Sequence, residues 1–173
     1  MGMDISGKQP TAPAGEYFRN NVWWWRPLAS YILEHAPTDI TDACEYWSSN
    51  DGDGLDAEGS KDLAEFLREE IANGNCKAYA DEYEAKRLSL PRVPCEYCEG
   101  TGTRKDAVGV EDKMPEREIP QDANHPRSGQ KGWCNGCDGW GTQESFASHY
   151  PFSVDNVTEF ATFLESCGGF EIW

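Results

Sequence analysis

The sequence lacks any apolar run that approaches the roughly 18 residues needed to cross a membrane. Its first residues, MGMDISGKQPTAPAG, contain no apolar core of the kind that a secretory signal requires. These two absences predict a cytoplasmic protein that does not enter the membrane. The length of 173 residues favours one domain, or one domain with a small appendage.

Positive charge is scarce along the chain and absent from its last part. There are 15 Lys and Arg residues against 31 Asp and Glu residues, a net charge of −16, and no Lys or Arg follows Lys131. Residues 38–70 contain eleven acidic and two basic side chains. Because DNA-binding proteins replace counterions with Lys and Arg, this balance argues against ordinary DNA binding. Two interpretations remain: a solvated acidic surface that keeps the protein soluble, or one that meets a basic partner or imitates nucleic-acid charge.

Sequence patterns of common enzyme classes are also missing. There is no GxSxG, HExxH, phosphate-binding loop or dinucleotide-binding glycine pattern, and the chain has only three histidines. The loop with Asp51, Asp53 and Asp56 is similar in composition to a calcium loop, but Ser60 stands where an EF-hand needs a bidentate Glu. We predict a non-enzymatic protein in which this loop is a polar turn that caps the next helix. An enzyme with a divalent-cation site at the three carboxylates is the alternative.

Seven cysteines are present, and four of them form two matching motifs. The segments CEYCEGTG, from Cys95, and CNGCDGWG, from Cys134, both fit CxxCxGxG. Each CxxC turn offers two thiolates, and Zn²⁺ binds four such ligands in a tetrahedron. The glycines let backbone amides point at sulfur and let the chain leave the turn with positive φ. We predict one structural zinc ion with no open coordination position, held by Cys95, Cys98, Cys134 and Cys137; two redox-active CxxC pairs are the alternative.

The two motifs resemble the cysteine-rich zinc region of the J-domain co-chaperones, the DnaJ family. The resemblance covers residues 95–102 and 134–141; that family has four such repeats, which bind two zinc ions, whereas this chain has two. It implies a zinc hairpin able to hold protein clients. The His-Pro-Asp signature of the J-domain is absent. The stretches FRNNVWWWRPL, NDGDGLDAEGSKDLAEFL and FLESCGGFEIW are similar to uncharacterised bacterial and phage proteins.

Hydrophobic periodicity predicts an α+β fold, mainly α, with four to five helices and a Cys₄ zinc hairpin of the zinc-ribbon type. The first helix is predicted to begin at Pro27 and to end before Pro37, and Thr38 is predicted to cap the second. The remaining helices are expected over 57–73, over 77–88 and after a cap at Ser153 or Asp155, and residues 170–173 are expected to form an edge strand or a tucked tail.

The chain is predicted to divide into four segments. These are a flexible leader over 1–15, a helical part over 16–90, a zinc-binding module over 91–143 with a mobile spacer at 104–131, and a C-terminal helix and tail over 144–173 that pack on the helical part.

Three consecutive tryptophans next to an arginine have two interpretations: packing in the core and against the zinc module, or an exposed anchor for a protein partner. Adjacent residues cannot all face one way, and Trp and Arg dominate binding hot spots. We therefore predict a zinc-stabilised protein-interaction module, encoded by a phage or prophage and acting on a host protein. The predicted contact residues are Trp23, Trp24, Trp25, Arg26, Asp51 and Asp53. The alternative is nucleic-acid association through the near-neutral zinc segment, which would use Arg92, Arg104, Lys105, Arg127 and Lys131.

Overall fold

The computed structural model describes residues 2–111, 117–119, 121, 124–125 and 127–173. The chain forms two compact units. Unit 1 consists of Met1–Leu88 together with His149–Trp173, and unit 2 consists of Ser89–Ser148. The zinc-binding module predicted over 91–143 therefore falls within unit 2.

The secondary structure is mainly helical, with short strands. In chain order the elements are β1 (Gly2–Gly7), β2 (Tyr17–Asn21), α1 (Val22–His35), α2 (Thr38–Thr41), α3 (Ala57–Ala72), α4 (Asn75–Leu88), β3 (Val93–Pro94), α5 (Ala107–Glu111), β4 (Arg117–Glu118), β5 (Lys131–Gly132), β6 (Thr142–Gln143), α6 (Val154–Leu164) and β7 (Phe170–Ile172). The predicted α+β, mainly α class is confirmed, with six helices in the described ranges rather than four to five. None of these helices is long and apolar enough to cross a membrane.

Unit 1 contains a three-stranded antiparallel sheet in the order β2–β1–β7. Ile5 of β1 lies opposite Phe18 of β2 on one side and Ile172 of β7 on the other. The central strand is thus formed by residues predicted as a flexible leader. Its polar composition hides an alternation in which Met3 and Ile5 are buried. The tail prediction holds, because β7 is a short edge strand.

Helix α1 begins five residues earlier than predicted. The side chain of Asn21 accepts hydrogen bonds from the amides of Trp23 and Trp24, at 3.0 and 3.2 Å, and so caps the helix before Val22. Pro27 consequently lies inside the helix. The cap outweighs the preference of proline for a first helical position.

The core of unit 1 lies where α1, α3, α6 and the sheet meet. Asp56 caps α3 through the amide of Gly59, at 2.8 Å, and Ser153 caps α6, as predicted. The Phe160 ring packs edge-on against Trp25 and tilted against Phe18, with centroid separations of 5.4 and 5.1 Å. Large aromatic rings thus fill the centre of this core together with aliphatic side chains.

Unit 2 contains two short antiparallel strand pairs, β3 with β6 and β4 with β5. The spacer predicted to be mobile over 104–131 contributes α5, β4 and the first residue of β5 to this unit. Ile119 in the spacer is buried, and its side chain lies against Gly139 of the second motif. The described part of the spacer is therefore packed structure. Positions 112–116, 120, 122–123 and 126 of the spacer lie outside the described residues.

Candidate metal centre

The four motif cysteines meet in one buried cluster in unit 2. Their sulfur atoms all lie within 4.8 Å of one another. Cys95 Sγ is 3.8 Å from Cys134 Sγ, and Cys98 Sγ is 3.7 Å from Cys137 Sγ. A tetrahedron of sulfurs about 2.3 Å from a central zinc ion has edges of about 3.8 Å. The distances thus match a four-thiolate metal site and are far too long for disulfide bonds of about 2.05 Å.

Each motif folds into the same turn around its second cysteine. Cys98 Sγ accepts a hydrogen bond from the amide of Gly102, and Cys137 Sγ accepts one from the amide of Gly141, both at 3.2 Å. These amides place partial positive charge beside the sulfur atoms, which stabilises thiolates. The two turns therefore prepare their cysteines for the negative charge that metal binding requires.

The glycines of the motifs occupy backbone conformations that other residues avoid. Gly100 and Gly139 both have φ of 83°, and Gly102 and Gly141 have φ of 73° and 76°. A Cβ added to Gly141 would lie only 2.4 Å from the carbonyl oxygen of Gly100. The CxxCxGxG pattern thus has two physical causes, positive φ and close approach of one turn to the other.

Backbone pairing joins the two turns to each other. Pro94, which leads into the first motif, lies opposite Thr142, which follows the second. The amide of Cys95 then donates to the carbonyl of Gly141, at 2.9 Å. On the other side the amide of Arg104 donates to the carbonyl of Trp133, at 2.7 Å. The strand that enters each turn is thus held by the segment that leaves the other.

Burial opposes the ionisation of thiols in this cluster. Burial raises the pKa of the Cys134 thiol, and it raises the pKa of Cys137 to about 12. Burial also opposes ionisation of Cys98, but the Gly102 amide and the neighbouring thiols outweigh it and lower the pKa of that thiol. The pKa values of these thiols thus shift in opposite directions, because the ionisation of one thiol disfavours the ionisation of its neighbours. A bound divalent cation removes this competition, because it deprotonates coordinating thiols.

Arg127, from the spacer, bridges the two turns. Its guanidinium group donates hydrogen bonds to the carbonyl oxygens of Thr101 and Gly139, in the first and second motif respectively. A second nitrogen donates to the carbonyl of Lys131, at 3.1 Å. This arginine therefore links the first motif, the second motif and the end of the spacer through their carbonyl groups. The sequence assigned Arg127 to nucleic acid and gave no signal for this contact.

Two further arginines stack on aromatic rings within unit 2. The guanidinium carbon of Arg92 is 4.8 Å from the ring centroid of Trp140, and that of Arg104 is 4.7 Å from Tyr97. Arg104 also forms a two-point ion pair with Asp106, with distances of 2.6 and 2.7 Å. Exposed ion pairs and cation–π contacts contribute little to stability. Arg92 and Arg104 therefore already make contacts with other residues of unit 2.

The tryptophans predicted to contact a partner lie in three different environments. Trp25 is fully buried and donates from Nε1 to the carbonyl of Trp47, at 2.6 Å, so it has no surface to offer. Trp24 remains exposed. Trp23 packs against the ring of Tyr150, at 4.8 Å, and Arg26 donates to the hydroxyl of Tyr150, at 3.1 Å. Trp25 is therefore removed from the predicted contact residues.

The carboxylates of the 51–56 loop accept hydrogen bonds from other groups of unit 1. Asp53 accepts hydrogen bonds from the amides of Glu45 and Tyr46, at 2.6 and 2.9 Å, and Asp56 caps α3. Asp51 accepts a hydrogen bond from the hydroxyl of Ser49. Within the described ranges, the four cysteines form the only group of three or more metal-binding side chains close enough to share an ion. The three carboxylates of the enzymatic alternative do not form such a group.

No family model, curated protein or solved structure matches this chain. The candidate metal site is therefore identified by its own geometry. That geometry shows four cysteines that could hold one metal ion.

Proposed function

We propose that this protein is an acidic protein-interaction module whose unit 2 is stabilised by one structural zinc ion. The observation that supports the zinc site best is the set of four buried sulfur atoms, with separations of 3.7 and 3.8 Å across the two motifs. Zinc prefers tetrahedral thiolate sites, and a site with four protein ligands has no position for substrate. The metal is therefore proposed to act in folding.

The distribution of charge supports the interaction role. Unit 1 holds 21 of the 31 acidic side chains but only 8 of the 15 basic ones. An excess of this size attracts basic partners, speeds their association and repels polyanions. The partner is therefore proposed to be a protein with a basic surface. The resemblance of three segments to phage proteins leads us to propose a bacterial host protein, met in the cytoplasm.

The nucleic-acid alternative has less support. Three of its five basic residues, Arg92, Arg104 and Arg127, make the contacts within unit 2 described above. A protein of net charge −16 would have to overcome repulsion from every phosphate group. Filter binding of labelled single-stranded and duplex DNA and RNA at low salt tests this alternative, and retention of any of them would revive it.

The zinc proposal is tested by metal analysis of the purified protein. We expect one zinc ion per chain, and we expect the Cys95→Ser/Cys137→Ser variant to contain none. Cys44→Ser is the matched control, because Cys44 is buried but lies outside the cluster. Iron also fits four thiolates in a tetrahedron, and an iron-loaded protein would correct the identity of the metal while keeping the site. Metal-free protein with free or disulfide-linked motif cysteines would refute the site.

The interaction proposal is tested by cross-linking the whole zinc-loaded protein in bacterial extract, followed by mass spectrometry. We expect a small set of basic proteins whose cross-links map to one face of unit 1. Their capture should weaken as salt is raised, because the attraction between exposed charges is screened. Recovery of no protein above the level of a size-matched acidic control protein would contradict an interaction role.

A further inference from the structure

An open groove lies in unit 1 beside the C-terminal half of α1 and the turn that follows α2. Its volume is about 640 Å³, within the range of pockets that hold small molecules or a few side chains. Leu33 and Tyr46 form its apolar walls and remain 50% and 49% exposed. Cys44 and Trp47 form its floor and are buried. Large apolar side chains at half exposure, facing a common groove, are a feature of binding surfaces.

Hydrogen bonds fix the floor of the groove. The indole nitrogen of Trp47 donates to the carbonyl of Thr41, at 3.2 Å. The carbonyl of Trp47 in turn accepts the indole N–H of Trp25 from the core, at 2.6 Å. The two indole rings stack with a centroid separation of 6.5 Å. The floor is thus part of the core of unit 1.

Asp53 fixes the turn that contains Tyr46, one of the two apolar residues that form the walls of the groove. Its Oδ2 atom accepts hydrogen bonds from the amides of Glu45 and Tyr46. Its Oδ1 atom accepts a hydrogen bond from the amide of Gly54, at 2.8 Å. Asp53 is itself tied to the sheet, because it forms an antiparallel bridge with Ile172. The groove is therefore built before any partner arrives, which reduces the entropy lost on binding.

The charged side chains that line this groove are all acidic. Asp42 and Glu45 are exposed at its rim, and residues 27–60 contain eight acidic side chains and no Lys or Arg. Two other grooves of the described chain carry bases among their linings: Lys61 and Arg68 in one, Lys105 in the other. Apolar walls below a purely acidic rim are complementary to an apolar side chain flanked by Lys or Arg.

We propose that this groove binds a basic peptide segment of the partner, with one large apolar side chain inserted between Leu33 and Tyr46 and flanking Lys or Arg side chains paired with Asp42 and Glu45. The inference rests on the proposed interaction function and names the surface and the partner class. Asp53, which was predicted to touch the partner, acts instead as a positioning residue for the wall.

A synthetic peptide serves as the probe. It is about twelve residues long, has Leu-Trp-Leu at its centre and Lys on both sides, and carries a dye for fluorescence anisotropy. A second peptide replaces Leu-Trp-Leu by Ser-Ser-Ser at the same charge. Titration of the whole zinc-loaded protein at about 0.15 M salt should show the apolar peptide binding about tenfold more tightly than the serine peptide.

Two matched pairs of variants locate the binding. Leu33→Lys should weaken the apolar peptide about tenfold, while Leu88→Lys makes the same change at an exposed leucine outside the groove and should leave affinity within about twofold. Asp42→Asn/Glu45→Gln should weaken binding about fivefold, and Asp62→Asn/Glu159→Gln, with the same net charge, about twofold or less. All six residues substituted in these four variants are exposed, so the variants should fold.

Equal binding of the two peptides, or equal losses within each pair of variants, would overturn the groove and leave only attraction by net charge. Cross-linking in extract separates this failure from failure of the proposed function. If basic partners are still captured but contact another face, the interaction function stands without the groove. If no partner is captured, the function itself fails.

Discussion

Cys98 and Cys137 lie 39 positions apart in the sequence, yet their sulfur atoms are 3.7 Å apart in the structure. Backbone hydrogen bonds and Arg127 join the two turns, but unit 2 has little apolar core to hold this arrangement. The paired strands are two residues long, and the only buried aliphatic side chain of its described residues is Ile119. We expect a segment with so small an apolar core to depend on metal binding for its stability.

Removal of the metal is therefore expected to unfold unit 2 selectively. Structural zinc in small modules contributes on the order of 10–16 kcal/mol at neutral pH, as much as a typical domain has in total. A high-affinity chelator should abolish the near-ultraviolet circular dichroism of Trp133 and Trp140. The helices of unit 1 should keep most of the far-ultraviolet signal. Unit 1 contributes its own near-ultraviolet signal, so an unchanged spectrum after verified loss of metal would contradict this prediction.

Gly141 of the second motif should tolerate substitution far less than Gly74, which also has positive φ. Gly141→Ala combines φ of 76° with a Cβ only 2.4 Å from the Gly100 carbonyl oxygen, so one turn must move away from the other. We expect weaker zinc binding, by about tenfold or more in competition with a chromogenic chelator, since the cost of positive φ alone is about 1–2 kcal/mol.

Gly74→Ala is the matched control for this substitution. Gly74 has φ of 80°, but a Cβ added there would meet nothing within 4 Å. It should cost about 1 kcal/mol of stability and leave zinc affinity unchanged. Equal zinc affinities for the two variants would show that close approach of the turns is unimportant.

The cysteine cluster is the part of the structure that the sequence predicts best. Its ligands are identified by residue type and spacing, because a CxxC turn places two sulfurs together through local geometry alone. The boundaries of α3 and α6 are also predicted closely, since Asp56 and Ser153 cap them through neighbouring amides. Each helix cap and each CxxC turn is formed by residues that are close together in the sequence.

The missed features depend on contacts between distant segments. The leader became β1 because Ile5 pairs with Phe18 and Ile172, and no local pattern announces a partner at the other end of the chain. Arg127 was assigned to nucleic acid because its charge is visible in the sequence, whereas the two carbonyl groups that it bridges are not. Trp25 and Trp24 differ in burial only through what packs against α1.

Asp53 should make the stability of unit 1 depend on pH. Hydrogen bonds from the amide of Tyr46 and then of Gly54 and Glu45 outweigh burial and hold the pKa of this carboxyl below its usual range. A lowered folded-state pKa stabilises the protein above the unfolded-state pKa of about 4, and that stabilisation is lost as the pH falls through the folded-state pKa. Asp53→Asn should therefore destabilise unit 1 at pH 7, by about 1 kcal/mol given partial solvent screening.

Urea unfolding at several pH values, followed by far-ultraviolet circular dichroism, measures this effect. The difference between the native protein and Asp53→Asn should narrow steadily from about pH 5 to about pH 3. Asp62→Asn controls for the loss of one exposed carboxylate. A constant difference at all pH values would assign the effect of Asp53→Asn to packing rather than to ionisation.

Adjacent tryptophans of α1 should differ sharply in their contribution to stability. Trp25 is fully buried, packs against Phe160 and donates a hydrogen bond to Trp47, so Trp25→Ala leaves a large cavity and an unpaired carbonyl. We expect a loss of about 3–5 kcal/mol in the free energy of unfolding. Trp24→Ala removes a ring that is 36% exposed and should cost about 1 kcal/mol or less. Equal losses in urea titrations of the two variants would contradict the placement of Trp25 at the centre of the core.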